Sequence, residues 1–498
     1  MARTRTVPSQ AQSAPAAHKR VFSFGPGRVE GTRQMRDLLG AKGANLCHMT
    51  SIGLPVPPGF IISAEACAEY YKAGGKLPDG LMDEVRLHLA ALEQTTGRRF
   101  GSPAKPLLVS VRSGAAVSMP GIMDTVLDVG ANDAVCEGLA SAIGDARFAR
   151  DTYRRLVEMF GVVVMGVPAH RFRSCLDAVK RACGVDQDSQ LGPYPMGEVL
   201  RQYKEIYQDH AGEPFPQDVD QQLQRAIAAV FQSWNAPRAA RYRMIHEIAG
   251  LLGTAVTVQS MVYGNLGDSS ASGVGFTRDP STGRDELFGE FLINAQGEDV
   301  VSGLRPPLPL AKMRQWRPQL YRQLLSMKER LEKHWREMQD FEFTIERGRL
   351  YMLQTRTGKR AGAASVRIAC DMVRQKIIDR QEAVLRVPPD DLRHLLLPSF
   401  APDGERQPIA TGLPASPGAA VGQPAFTPLE AVERSRAGEK VILVRRETGP
   451  EDVDGIWFAE GVVTVLGGMT SHAAVVARGW GKPAVTGCLG LEVDVARR

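Results

Sequence analysis

Residues 460–487 constrain the fold most: two short β-branched apolar runs flank a Gly-Gly turn and a stretch of small residues. Glu460-Gly461-Val462-Val463-Thr464-Val465-Leu466 has the composition of a buried strand running into the turn at Gly467-Gly468. Thr470 or Ser471 can cap a helix there, Ala473 to Ala477 propagate it, and Gly479, Gly481 and Pro483 stop it before the next strand-like run, Ala484-Val485-Thr486-Gly487. A chain that turns this tightly from strand to helix must set His472 in the first helical turn.

That position has chemical consequences. The positive end of the helix dipole disfavours an imidazolium, so the ring is expected to be neutral and nucleophilic near pH 7, and free backbone N–H groups can hold a phosphoryl group. The same pattern also fits a capped helix whose histidine only satisfies a local hydrogen bond.

The chain has 498 residues, 43% hydrophobic and 23% charged, enough for two to four domains. Its net charge of +6 comes from 61 basic and 55 acidic residues without one concentrated basic tract, so anionic ligands suit it and a nucleic-acid partner is not expected. Seven scattered cysteines without CxxC spacing imply neither a disulfide framework nor a zinc site. No apolar run approaches the roughly 20 residues that cross a bilayer. Residues 1–20 carry Arg3, Arg5, Lys19 and Arg20 and no acid, a composition shared by disordered tails and organellar transit peptides. A cytoplasmic location is expected, with a plastid or other organelle matrix as the alternative.

Upstream, residues 35–49 have helical spacing and contain Gly40-Ala41-Lys42-Gly43, where glycines let backbone approach a ligand beside the lysine. A lysine on a solvated helix face gives the same pattern. Residues 107–111 read as a buried strand that delivers Arg112 to its end, followed by a loop rich in Gly, Ser and Ala that contains Gly121. Arginine's planar fork engages two phosphate oxygens, and such a loop can fold over a triphosphate. Residues 135–250 are mostly helical by pattern and read as an insertion. Strand-like runs at 254–263 and 273–278, separated by Gly264, Asn265, Gly267 and Asp268, are expected to pair antiparallel.

A hairpin is expected at 340–356 with its turn at Arg347-Gly348. It puts Asp340 and Glu342 on one face, and Gln354 and Arg356 likewise on the partner strand. Carboxylates and an amide there can hold magnesium, or acid and base can simply pair across a solvated face.

Taken together, the run at 467–479 resembles the phosphohistidine signature of pyruvate phosphate dikinases and phosphoenolpyruvate synthases, with Met469-Thr470-Ser471 closer to the dikinase form. From about Val21 onward the order and spacing resemble the amino-terminal portion of the dikinase family. The resemblance implies α/β and α+β domains: a tail (1–20), an ATP-grasp nucleotide domain (21–357), a helical linker (358–404) and an α/β swivelling phosphohistidine domain (405–498). By the same resemblance Lys42, Arg112, Gly121, Glu298, Asp340, Glu342, Gln354 and Arg356 contact ATP, Glu342 and Gln354 hold Mg2+, and His472 is phosphorylated. Thr470 matches a regulatory phosphorylation site of plant members. ATP and phosphate are the implied partners, and a homodimer is implied for complete members.

Three positions depart from the family pattern without removing a reactive group: Ala41 for glycine, Leu466 for a common basic residue, and Gly449 for a common serine. The resemblance also makes the histidine domain incomplete at Arg498 and leaves out the barrel that binds pyruvate and phosphoenolpyruvate. The expected activity is then the ATP and phosphate half-reaction. The alternatives are an inactive or regulatory nucleotide-binding subunit, or a phosphoenolpyruvate synthase, which uses water in place of phosphate.

Overall fold

In a computed structural model, residues 19–117, 119, 122–302, 305–394 and 408–495 are described. Gly121 and most of the 1–20 tail lie outside them. Three main sheets organise the molecule.

The first has six strands in the order Arg28–Val29, Val21–Gly25, Gly59–Ile62, Ala255–Ser260, Val109–Gly114, Thr125–Val129, all antiparallel. Every residue of its strand Ala255–Ser260 is buried because both faces are covered. Val256 and Val258 face a core shared with helices between residues 81 and 239, so those helices pack as one body with the sheet. Ala255 faces a second core, which Phe22, Phe24 and Ile61 join.

The second sheet supplies the far wall of that core through Phe291, Phe341, Phe343 and Ile345. Its order is Leu308–Pro309, Phe288–Ile293, Ala271–Phe276, Gln339–Glu346, Arg349–Thr357, again antiparallel. Between the two sheets runs the helix Arg36–Ser51, contributing Leu39, Leu46, Cys47 and Met49.

The expected pairing of 254–263 with 273–278 does not occur: Ala255–Ser260 belongs to the first sheet and Ala271–Phe276 to the second. Side-chain shape decides this. Gly273 and Gly275 lie opposite Phe343 and Phe341, and a Cβ on either glycine would come within 2.3 Å and 2.4 Å of those rings. Only a glycine-bearing strand accepts both phenylalanines, so the intervening residues cross between sheets instead of closing a hairpin.

The expected hairpin does form, between Gln339–Glu346 and Arg349–Thr357, with Arg347 (φ 47°) and Gly348 (φ 77°) both left-handed as a type I′ turn requires. Helices Gly362–Arg374, Arg380–Arg386 and Pro389–His394 follow. The first is not free of the sheet, since Ala364, Ile368 and Met372 share a core with Phe276 and Met338.

The third sheet is ordered Leu413–Ser416, Ala484–Thr486, Gly461–Thr464, Val441–Arg445, Gln423–Ala425, parallel except at the Leu413–Ser416 edge. Its own small core includes Val441, Leu443, Val462, Ala473, Ala474 and Ala477. The strand, turn, helix and strand read at 460–487 appear here as Gly461–Thr464, the helix His472–Gly479 and Ala484–Thr486. Among the described residues no helix is long and apolar enough to cross a membrane, and all seven cysteines are free thiols.

Candidate functional site

A cleft of about 550 Å³ opens where the three sheets meet. Lys42, Arg112, Glu298, Glu342, Gln354 and Arg356 line it from the first two sheets and their helices, and Thr448, Thr470 and His472 close it from the third unit.

Lys42 reaches the cleft because its helix is broken. Gly40 adopts φ 70° and ψ 161°, and a Cβ at this position would sit 1.9 Å from the Gly114 carbonyl oxygen. The contact presses the helix against the end of the strand Val109–Gly114, where Ala41 N–H donates to the Ala115 carbonyl (2.9 Å) and Lys42 Nζ to the Ser113 carbonyl (2.9 Å). Burial, with the cations Arg112 and Arg356 adding to it, pushes the Lys42 ammonium down to about 7.

The hairpin brings the acidic and amide groups into register. Glu342 lies opposite Gln354 and Asp340 opposite Arg356. Arg112 Nη2 donates to Glu342 Oε2 (3.3 Å) and Arg356 Nε to Asp340 Oδ2 (2.7 Å). Burial works against the Glu342 carboxylate, but Arg112, Arg356 and Lys42 outweigh it and hold the group below its usual range. Asp340 is set back: burial raises its carboxyl despite Arg356, and it lines a neighbouring recess instead of the cleft.

Among the described residues no three acidic, histidine or cysteine side chains gather as a metal cluster. The oxygens of Glu342 and Gln354 still fit magnesium, which takes hard oxygen donors, keeps few protein ligands and completes its shell with phosphate and water.

His472 is the first residue of its helix, as the spacing predicts. The expected cap is not made. Ser471 holds the N-cap backbone position without capping through its side chain, and Thr470 Oγ1 is engaged elsewhere, by Glu290 Oε2 at 3.0 Å. The ring's neutrality also has a larger source than the helix dipole, because burial lowers the imidazole to about 4, with Lys359 adding to the shift against Glu451. His472 Nδ1 lies 3.4 Å from Thr448 Oγ1, and the buried Nε2 has no partner.

Several neighbours escaped the sequence reading. Glu290 accepts from Met469 N–H (3.2 Å) as well as from Thr470, bridging the second sheet to the histidine loop. Arg155 lies 3.8 Å from Glu298 and 3.2 Å from Asp299, anchoring the acidic wall of the cleft. Arg478 Nη2 donates to the Met469 carbonyl (2.6 Å) and holds the same loop from behind. The stretch around Thr448 had a signal in Gly449-Pro450, a turn that aims residues inward, but nothing in its spacing pointed to His472.

The arrangement joins a cation-lined cleft to a neutral imidazole whose Nε2 has no partner. The model described as "Pyruvate phosphate dikinase, AMP/ATP-binding domain" matches residues 36–77, 74–310 and 308–377. The chain belongs to the pyruvate phosphate dikinase family. The model "PEP-utilising enzyme, mobile domain" matches residues 437–497, the unit that carries His472. Pyruvate, phosphate dikinase 1, chloroplastic, of Oryza sativa subsp. japonica is 54% identical over 486 residues, which is 97% of this chain and 51% of the rice protein. Pyruvate, phosphate dikinase 2 of Zea mays is 54% identical, covering 96% of this chain and 54% of its own. The chloroplastic pyruvate, phosphate dikinase 1 of Arabidopsis thaliana is 52% identical, covering 99% and 51%. The chain therefore spans about half the length of the curated relatives it matches. The two matched models fit an ATP-grasp unit followed by a phosphohistidine unit.

Proposed function

We propose that residues 21–357 bind ATP, that residues 405–498 carry His472 as the phosphoryl acceptor, and that residues 358–404 link them. The reaction is the ATP and phosphate half of the dikinase cycle: ATP, inorganic phosphate and His472 give AMP, pyrophosphate and phosphohistidine. With pyruvate as the final acceptor, the full cycle would yield phosphoenolpyruvate.

One observation carries this reading: His472, whose buried Nε2 has no partner, lines the same cleft as Lys42, Arg112 and Glu342. With Nδ1–H donating to Thr448 Oγ1, Nε2 keeps its lone pair for the phosphorus. Lys42 and the arginines offset charge on the phosphate oxygens, and alignment of the two reactants supplies most of the remaining rate. Glu342 and Gln354 would hold Mg2+, which would neutralise negative charge on the phosphate oxygens. Arg155 keeps Glu298 directed at the cleft. Thr470 is the regulatory phosphorylation site in this reading.

The test is incubation with ATP labelled on the β-phosphate, with phosphate and magnesium. Acid-labile label on the wild type that is lost in His472→Ala supports the reading. Equal label on both proteins, or none on the wild type, overturns it. Tight ATP binding without AMP release would point to a regulatory subunit, and AMP formation independent of phosphate to a synthase.

A further inference from the structure

Beside the cleft lies a second recess of about 300 Å³, at the lower end of ligand-pocket sizes. The two cavities share Ala41, Asn45, Arg356 and Val475 as a partition. Asp340 and Arg356 form the floor of the recess, Trp335 lines it, and Arg33, Arg36 and Lys359 stand exposed at its mouth.

The charges around this recess do not balance. Its one carboxylate, Asp340, is committed to Arg356 at 2.7 Å. Arg33 feels the cations Arg36 and Arg386, and its own contacts are the His334 carbonyl (3.4 Å) and the face of Trp335 (5.7 Å). Arg36 Nε donates to the Ala116 carbonyl at 2.5 Å, a neutral acceptor. Lys359 has Arg356 as a neighbouring cation, with Asp340, already paired, as the opposing charge. Cations gathered around one concave site, with their carboxylate already paired, create a positive potential that a compact polyanion relieves. The volume suits a small oxyanion better than a nucleotide, which the larger cleft already accommodates.

We infer that this recess binds a phosphate-type oxyanion, free phosphate or pyrophosphate, apart from the phosphates of the nucleotide. The identity of the anion rests on the dikinase reading, in which phosphate must arrive and pyrophosphate must leave while ATP fills the main cleft. The recess gives these small anions a mouth of their own, separated from the cleft by Asn45 and Arg356. Arg33, Arg36 and Lys359 attract the anion and Arg356 meets it at the partition.

Calorimetric titration of the full chain with inorganic phosphate, with pyrophosphate and with ATP tests this, comparing wild type with Arg36→Gln/Lys359→Gln. These side chains are exposed, and a parallel variant, Arg33→Gln, guards against a local folding effect. Loss of roughly tenfold or more in affinity for phosphate or pyrophosphate is expected in both variants, with ATP affinity within about twofold. A loss confined to phosphate identifies an entry site, and one confined to pyrophosphate an exit site. Unchanged affinity for both anions, or an equal loss for ATP, overturns the inference. Binding is read without turnover, so failure of His472 labelling leaves this result intact and bears only on the dikinase reading.

Discussion

Thr470 Oγ1 donates to Glu290 Oε2 across 3.0 Å, and this bond ties the loop before His472 to a strand of the second sheet. Thr470 is 5% exposed and Glu290 8%, so the contact excludes water and leaves no room for a further charge. A negative group on Thr470 would face a carboxylate, a juxtaposition that costs several kcal/mol. Thr470→Glu is therefore expected to lower phosphohistidine formation by about a hundredfold or more, while Thr470→Val, which only removes the donor, lowers it roughly tenfold. Similar labelling rates for the two variants would argue against the electrostatic account.

Lys42 makes nucleotide binding pH-dependent in a defined direction. Its ammonium is lowered to about 7 by burial and by Arg112 and Arg356, and a bound polyphosphate supplies the opposite charge that raises it again. Binding then takes up a proton, so affinity is highest below pH 7 and falls as pH rises through that value, by at most about tenfold per unit. Calorimetry in buffers of different ionisation enthalpy measures the uptake at pH 8. In Lys42→Arg, which stays charged, the uptake should vanish; uptake that persists would assign the proton to another group.

The local elements were legible where the signal is itself local. The turn at Arg347-Gly348 and the helix opening at His472 each follow from a few adjacent residues, whereas the pairing of Glu342 with Gln354 depends on a bulge between Glu342 and Phe343 that shifts the register set by the turn. The partner of the strand Ala271–Phe276 was not legible, because it is chosen by two phenylalanines far along the chain that need Gly273 and Gly275 beneath them. Glu290 and Thr448 were missed for the same reason: their meaning lies in a partner 180 and 24 residues away. The cause of the neutral histidine was also only half visible, since a helix terminus can be read from a sequence and burial by a docked neighbour cannot.

Gly40 should tolerate no side chain. Its φ of 70° is left-handed and a Cβ would overlap the Gly114 carbonyl at 1.9 Å, so Gly40→Ala must either straighten the helix or push the strand away. A loss of about 3 kcal/mol or more in unfolding free energy is expected, with a parallel loss of ATP affinity as Lys42 moves. Gly74→Ala is the control, since Gly74 has φ 69° with nothing within 4 Å and should cost only about 1–2 kcal/mol. Equal costs for the two substitutions would show that close packing at Gly40 is not what places the lysine.

The buried imidazole also predicts an acid limit to the docked structure. His472 is lowered from 6.5 to about 4, chiefly by burial, so the native form binds its proton more weakly than the unfolded chain does. Stability from this residue is therefore intact above pH 6.5 and is lost progressively as pH falls from there toward 4, by up to about 3 kcal/mol. His472→Asn removes the titrating group while leaving the other carboxylates and histidines to contribute equally to both proteins. Denaturant unfolding at pH 7 and pH 4.5 should show the wild type losing more stability than the variant over this interval. Parallel losses would mean that His472 is free to take its proton in the native state, which would also remove the basis for a permanently nucleophilic Nε2.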